Sequence, residues 1–212
     1  MIHTIQPGDC ILSIAAQYGF DWHTIWEHSQ NAKLKSLRKT PNVLMVGDEV
    51  HVPDLVPKTQ TAPVDKRHRF VRKKSTTEFR LRILHDGQPL KNKHYDANLD
   101  GRLLPGSTQD STDDDGNLKL RVPPDAQQLT ITIREPDFTE SYVVMLGHLN
   151  PTSDITGVQQ RLKNLGCGCQ VTGELDRQTR DALSYFVVAF DQGDDVELTD
   201  ELRRKIERVH GL

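Results

Sequence analysis

Three groups of side chains in this sequence have the types and spacing to do chemistry. Cys10 stands where a helix is expected to begin, a position that favours a thiolate, and His3 and His51 fall on expected neighbouring strands as bases for it. Cys167-Gly168-Cys169 pairs two soft metal ligands, and Asp113-Asp114-Asp115-Gly116-Asn117 carries part of the pattern of a calcium loop. Each group is incomplete. The cysteine pair has no second pair, the calcium pattern lacks its distal bidentate Glu, and Asp-Gly between strands is the ordinary hairpin turn. The nine histidines are scattered, and no His-Glu-x-x-His, Gly-x-Ser-x-Gly or Cys-x-x-Cys occurs. The expectation is a non-catalytic protein with no metal and no cofactor, in which Cys10 is a small side chain beside a helix cap.

Those residues must be positioned by elements whose periodicity changes along the chain. The stretch His3-Thr4-Ile5-Gln6 reads as a strand, and Pro7-Gly8 turns it into a helix that Asp9 is placed to cap, with Ile11, Leu12, Ile14, Ala15 and Tyr18 buried. Asp21 opens a second helix, in which Trp22, Ile25 and Trp26 share one face and read as core. A loop lengthened over residues 32–41 leads through Asn42-Val43-Leu44-Met45 to the strand Glu49-Val50-His51-Val52. Three prolines, Pro53, Pro57 and Pro63, mark a linker. Alternation then takes over: Phe79, Leu81 and Ile83, then Leu118, Leu120 and Val122, then Leu129, Ile131 and Ile133, separated by Asp86-Gly87, Asp100-Gly101 and Asp115-Gly116-Asn117. After Pro151 the helical period returns in three runs, beginning at Ile155, Leu183 and Leu202.

The resulting expectation is an α+β multidomain chain: a βααβ unit over 1–54, a linker over 55–65, an antiparallel β-sandwich over 66–147 and a three-helix unit over 148–212. Charge follows this division. Residues 58–82 hold nine basic and two acidic side chains, a local +7 in a chain whose net charge is -3. No aromatic-rich or helical recognition motif accompanies the basic run, so it reads as a solvated face and no nucleic-acid partner is expected. No apolar stretch approaches the roughly 18 residues of a membrane span, and the first six residues lack a basic flank and an apolar signal core. Neither membrane insertion nor Sec export is expected. The odd cysteine count of three, Cys10, Cys167 and Cys169, argues against a disulfide framework and suits a reducing compartment.

The N-terminal unit resembles the LysM family through Gly8-Asp9, Leu12, Ile14-Ala15, Tyr18-Gly19, Trp26, Asn42, Leu44, Gly47-Asp48, Val50 and Val52-Pro53. LysM modules bind N-acetylglucosamine polymers, peptidoglycan or chitin, in a shallow groove between two loops. The resemblance implies a groove lined by Gly8, Asp9, Cys10 and Ile11 on one side and by Asn42, Val43, Leu44 and Met45 on the other. Backbone donors and acceptors at the loop edges would read an acetamido group there, without metal or catalytic acid.

The last unit resembles the three-helix peptidoglycan-binding domain found beside amidases, through Gly157-Val158-Gln159, Arg161-Leu162, Leu165-Gly166, 171–176, Thr179-Arg180, Ala182-Leu183 and Phe186. The whole order is similar to a group of bacterial proteins encoded beside contractile injection machines, especially type VI secretion spikes of the VgrG kind. Gly8-Asp9-Cys10, Phe20-Asp21-Trp22, Pro41-Asn42-Val43-Leu44, Arg69-Phe70-Val71, Asp86-Gly87-Gln88-Pro89 and Leu146-Gly147-His148-Leu149 carry that likeness. It implies a peptidoglycan-binding accessory protein or, alternatively, an adaptor that docks a spike or effector protein. It also implies a cytoplasmic protein that such an apparatus delivers to a periplasm or wall.

Overall fold

The computed structural model describes residues 1–212 with the exception of 57, 58, 60, 70–75, 86, 108, 109, 192–195 and 212. Within these bounds the fold is mixed α and β, with six α-helices and ten short strands in antiparallel sheets.

Three hydrophobic clusters follow one another along the chain. The first gathers Ile5, Ile11, Ile14, Ile25, Trp26, Leu34, Leu44, Val50 and Val52, with Trp22 packed at its edge. Strands β1 (Ile2–Thr4) and β2 (Glu49–His51) pair antiparallel, His3 opposite Val50, as the sequence predicts for two strands far apart in the chain. Helix α1 (Ile11–Tyr18) buries Ile11, Ile14 and Ala15, and α2 (Trp22–Trp26) buries Ile25 and Trp26. Asp21 accepts from the His23 amide at 3.0 Å and so caps α2. The buried Asn31 amide ties this helical layer to the sheet: Nδ2 donates to the carbonyls of Ile25 and His51, each at 2.8 Å, and Oδ1 accepts from His51 N at 2.7 Å.

Two expectations for this region change. Residues 32–38 of the expected loop form a helix, α3 (Ala32–Arg38), because Leu34 reaches the core and Arg38 makes a two-pronged pair with Asp48 at 2.7 and 2.8 Å. Asp9 does not cap α1. Cys10 occupies the cap position, with its amide donating to Ser13 Oγ at 2.9 Å, while the Asp9 carboxylate turns back to the Gln6 amide at 2.8 Å.

The second cluster spans Ile83 to Leu146. Strand β3 (Thr77–Arg82) pairs with β8 (Asn117–Val122), and a four-stranded sheet runs in the order β10 (Thr139–Met145), β9 (Gln128–Arg134), β6 (Tyr95–Leu99), β7 (Arg102–Leu103). The short β4 (Leu84–His85) and β5 (Gln88–Pro89) close a hairpin. The alternation read from the sequence decides which face is buried: Leu118, Leu120 and Val122 point inward from β8, and Leu129, Ile131 and Ile133 from β9. Of the basic run, Lys58, Arg72, Lys73 and Lys74 lie outside the described residues, as do Phe70, Val71 and Asp86.

The third cluster is helical. Helices α4 (Ile155–Asn164), α5 (Arg177–Phe186) and α6 (Asp200–His210) enclose Val158, Leu162, Leu183, Phe186, Leu202 and Ile206. Each starts on a side-chain cap, Asp154, Asp176 and Thr199 respectively. The acidic loop after Phe190 falls largely outside the described residues.

Candidate functional site: the paired N-terminal loops and the segment seated on them

The two loops singled out by the sequence are brought together. The Ile11 amide donates to the Pro41 carbonyl at 3.1 Å, joining the start of α1 to the loop that precedes β2. That second loop is held from below by Asp48, whose carboxylate accepts from the Met45 amide at 2.9 Å and from Arg38. Burial pushes the Asp48 carboxyl up, but the Arg38 guanidinium and the Met45 amide outweigh it and hold the carboxyl below its ordinary range. On the first loop, Asp9 pairs with His3 Nε2 at 2.9 Å, and His3 Nδ1 reaches the Tyr18 hydroxyl at 3.1 Å. His3 is therefore engaged with Asp9 and Tyr18 rather than with Cys10.

The eight predicted groove residues divide by burial. Ile11 and Leu44 give their side chains to the hydrophobic core, leaving only backbone to a groove. Cys10 and Val43 are also buried, whereas Gly8, Asp9, Asn42 and Met45 are half-buried.

Another part of the chain covers the site. Residues Gly147 to Leu149, between β10 and α4, lie across the junction of the loops: the Leu149 amide donates to the Asn42 carbonyl at 3.1 Å, and Val43 and Leu149 form a parallel β-bridge. Leu149 is 6% exposed. A β-carbon on Gly147 would stand 4.0 Å from Cys10 Sγ, which places the thiol beneath this segment. His148 Nδ1 is buried without a hydrogen-bond partner; burial pushes the imidazole down, and the charge of Asp9 opposes the shift. From the second cluster, Gln127 Nε2 donates to the Gly8 carbonyl at 3.1 Å. Gly8 sits at φ 98, a backbone conformation that calls for glycine, and a β-carbon there would come within 2.9 Å of Gln127 Oε1 and push that amide aside.

Sequence reasoning missed Gln127, His148 and Leu149 as partners of the loops. The local signal was a glycine shortly after a strand, in Leu146-Gly147-His148-Leu149, which fixes a turn but not its docking partner.

The other chemistry-bearing groups are structural. Burial pushes the Cys167 thiol up to about 12 and raises Cys169 as well, so both stay protonated at neutral pH. Among the described residues no group of three or more His, Cys, Asp or Glu stands together as metal ligands. Asp113 closes its own turn, accepting from the Asp115 and Asn117 amides at 2.9 and 2.8 Å. In the helical cluster, Gln159 is fully buried. Its amide nitrogen meets Thr172 Oγ1, the Glu174 carbonyl and Thr179 Oγ1, and its oxygen accepts from the amides of Thr172 and Gly173. Gly157-Val158-Gln159 thus pins a loop onto α4. Arg161, also fully buried, donates to the carbonyls of Asn150 at 2.8 Å and Gly157 at 2.7 Å.

Compared with protein-family models, with curated proteins and with solved structures, the chain matches none.

Proposed function

We propose that this chain is a non-catalytic adaptor of a contractile injection apparatus that docks a spike or effector protein. Its LysM-like unit, central β-sandwich and helical peptidoglycan-binding-like unit serve as protein-binding folds. One observation supports the reading: the loops that the LysM resemblance makes the edges of a sugar groove are occupied by the chain's own segment, with Leu149 N on the Asn42 carbonyl and a parallel bridge to Val43. The same contact and the Gly8–Gln127 hydrogen bond join the units, which suits a scaffold that presents several surfaces in fixed relation.

A second reading, peptidoglycan binding, has support in the Ile11–Pro41 hydrogen bond, which sets the two loops edge to edge as that activity requires. It demands that residues 147–149 leave the groove. The two readings separate in one experiment. The purified chain is incubated with intact peptidoglycan sacculi and, in parallel, with a tagged VgrG-type spike protein and its effector. Retention on the spike or effector without sedimentation on sacculi upholds the adaptor. Sedimentation that is lost in an Asn42→Ala variant whose melting temperature is unchanged overturns it in favour of wall binding.

A further inference from the structure

The outward face of the β3–β8 pair concentrates positive charge. Arg80 and Arg82 on β3 and Lys119 and Arg121 on β8 are exposed, while the alternate residues Phe79, Leu81, Leu118 and Leu120 face the core. In register, Arg80 stands opposite Lys119, and Arg121 opposite Glu78. Like charges directly opposed across an antiparallel pair oppose its formation, and nothing in the packing of the opposite face requires a cation at either position. Among the described residues, the carboxylates of Glu78 and Asp113 at the patch are engaged, Glu78 with Arg80 Nε at 2.6 Å and Asp113 with its own turn, while Arg82 Nε donates to the Asp115 carbonyl at 2.9 Å. Hydrogen bonding from Arg80, helped by the charges of Lys119 and Arg121, holds the Glu78 carboxyl below its ordinary range, a sign of positive potential over the face. A shallow open pocket of about 450 Å³ lies against Arg80, Arg82 and Lys119, with Asp113 and Asn117 at one end.

From this geometry we infer that the β3–β8 face is a docking surface for a short, extended acidic segment of a partner protein, with carboxylates at alternate positions. Alternate residues of an extended chain project to one side about 6.7 Å apart, the same repeat that separates Arg80 from Arg82 and Lys119 from Arg121. Length and composition favour a peptide over nucleic acid. The six-residue strands span roughly 20 Å, and the chain outside residues 58–82 carries -10, so a long polyanion running past the patch meets repulsion. Among the described residues the face presents no aromatic ring on which bases would stack.

The test is fluorescence anisotropy of a labelled ten-residue peptide of alternating Glu and Thr against the full-length protein, at 50 and 300 mM salt, with a 20-base-pair duplex as competitor. The expected result is saturable binding at low salt that weakens roughly tenfold in Arg80→Gln, Lys119→Gln, the size expected for two lost charge contacts. A control variant, Arg177→Gln, Arg204→Gln, removes two exposed cations of the helical region and should bind as the parent does. Circular dichroism melts establish that both variants are folded. Absence of peptide binding at 50 mM salt, equal weakening in both variants, or displacement of the peptide by a lower concentration of duplex each overturns the inference.

Discussion

The amide of Leu149 and the carbonyl of Asn42, 107 residues apart in sequence, meet at 3.1 Å and fasten the connection before α4 onto the loop before β2. With Leu149 buried beside Val43, the contact has an apolar half and a hydrogen-bonded half. Leu149→Ala should lower unfolding free energy by about 2–3 kcal/mol, in the range of buried leucine truncations. Amide exchange at residues 42–44 should accelerate with it. Unchanged exchange there would mean that the segment does not hold the loop.

Gly8→Ala should destabilise the protein by about 1–2 kcal/mol, since the new β-carbon meets both a left-handed backbone and the Gln127 side chain. In a Gln127→Ala background the same substitution should cost less, because only the steric part is relieved. Urea melts of the four proteins give the coupling directly.

Acid should weaken the fold in two windows. His210 is half-buried with its Nδ1 enclosed, and this burial, with the Arg161 charge, pushes its imidazole from 6.5 down to about 4. The unfolded chain therefore binds the extra proton first: this contribution is full above about 6.5 and is lost as pH falls toward 4, at most about 3 kcal/mol. Asp48, held low by Arg38, adds stability that is present above the ordinary carboxylate range and lost as pH falls below it. A His210→Gln variant should make the upper window of a stability–pH profile shallower, with His148, also held down by burial, supplying what remains of it, and should leave the lower window in place.

All three thiols should resist labelling in the folded state. Cys10, Cys167 and Cys169 are 2%, 7% and 4% exposed. Reaction with a maleimide at pH 7 is expected only after denaturation, in the ratio of three labels per chain. Labelling of Cys10 in the native protein would mean that residues 147–149 open readily.

What the sequence made legible was decided by local physics. The alternation of Leu118, Leu120 and Val122 could only bury one face of a strand, and the runs beginning at Ile155, Leu183 and Leu202 could only bury one stripe of a helix, whereas their caps Asp154, Asp176 and Thr199 emerged from the structure. Gly8 was recognisable as a turn residue for the same reason, whereas the pairing of its loop with that of Asn42 came from the LysM resemblance and not from local physics. The α3 helix escaped because Lys33, Lys35 and Arg38 dominate its composition, and the Leu34 contact, the Arg38–Asp48 pair and the Lys35–Glu27 pair that hold it are all made to residues outside it. Long-range docking escaped more completely. Nothing in Gln127 or Leu149 points to partners more than 100 residues away, because a glutamine amide and a leucine are satisfied by many environments.

The connection from Met145 to Asn150 has its amides divided among separate parts of the molecule: Met145 to Asn164 Oδ1, Leu146 to the Gln127 carbonyl, Leu149 to the Asn42 carbonyl and Asn150 to Gln160 Oε1. Six residues thus join α4, the turn before β9 and the loop before β2 through one backbone, so a single break in that backbone would separate contacts that the intact chain keeps in register.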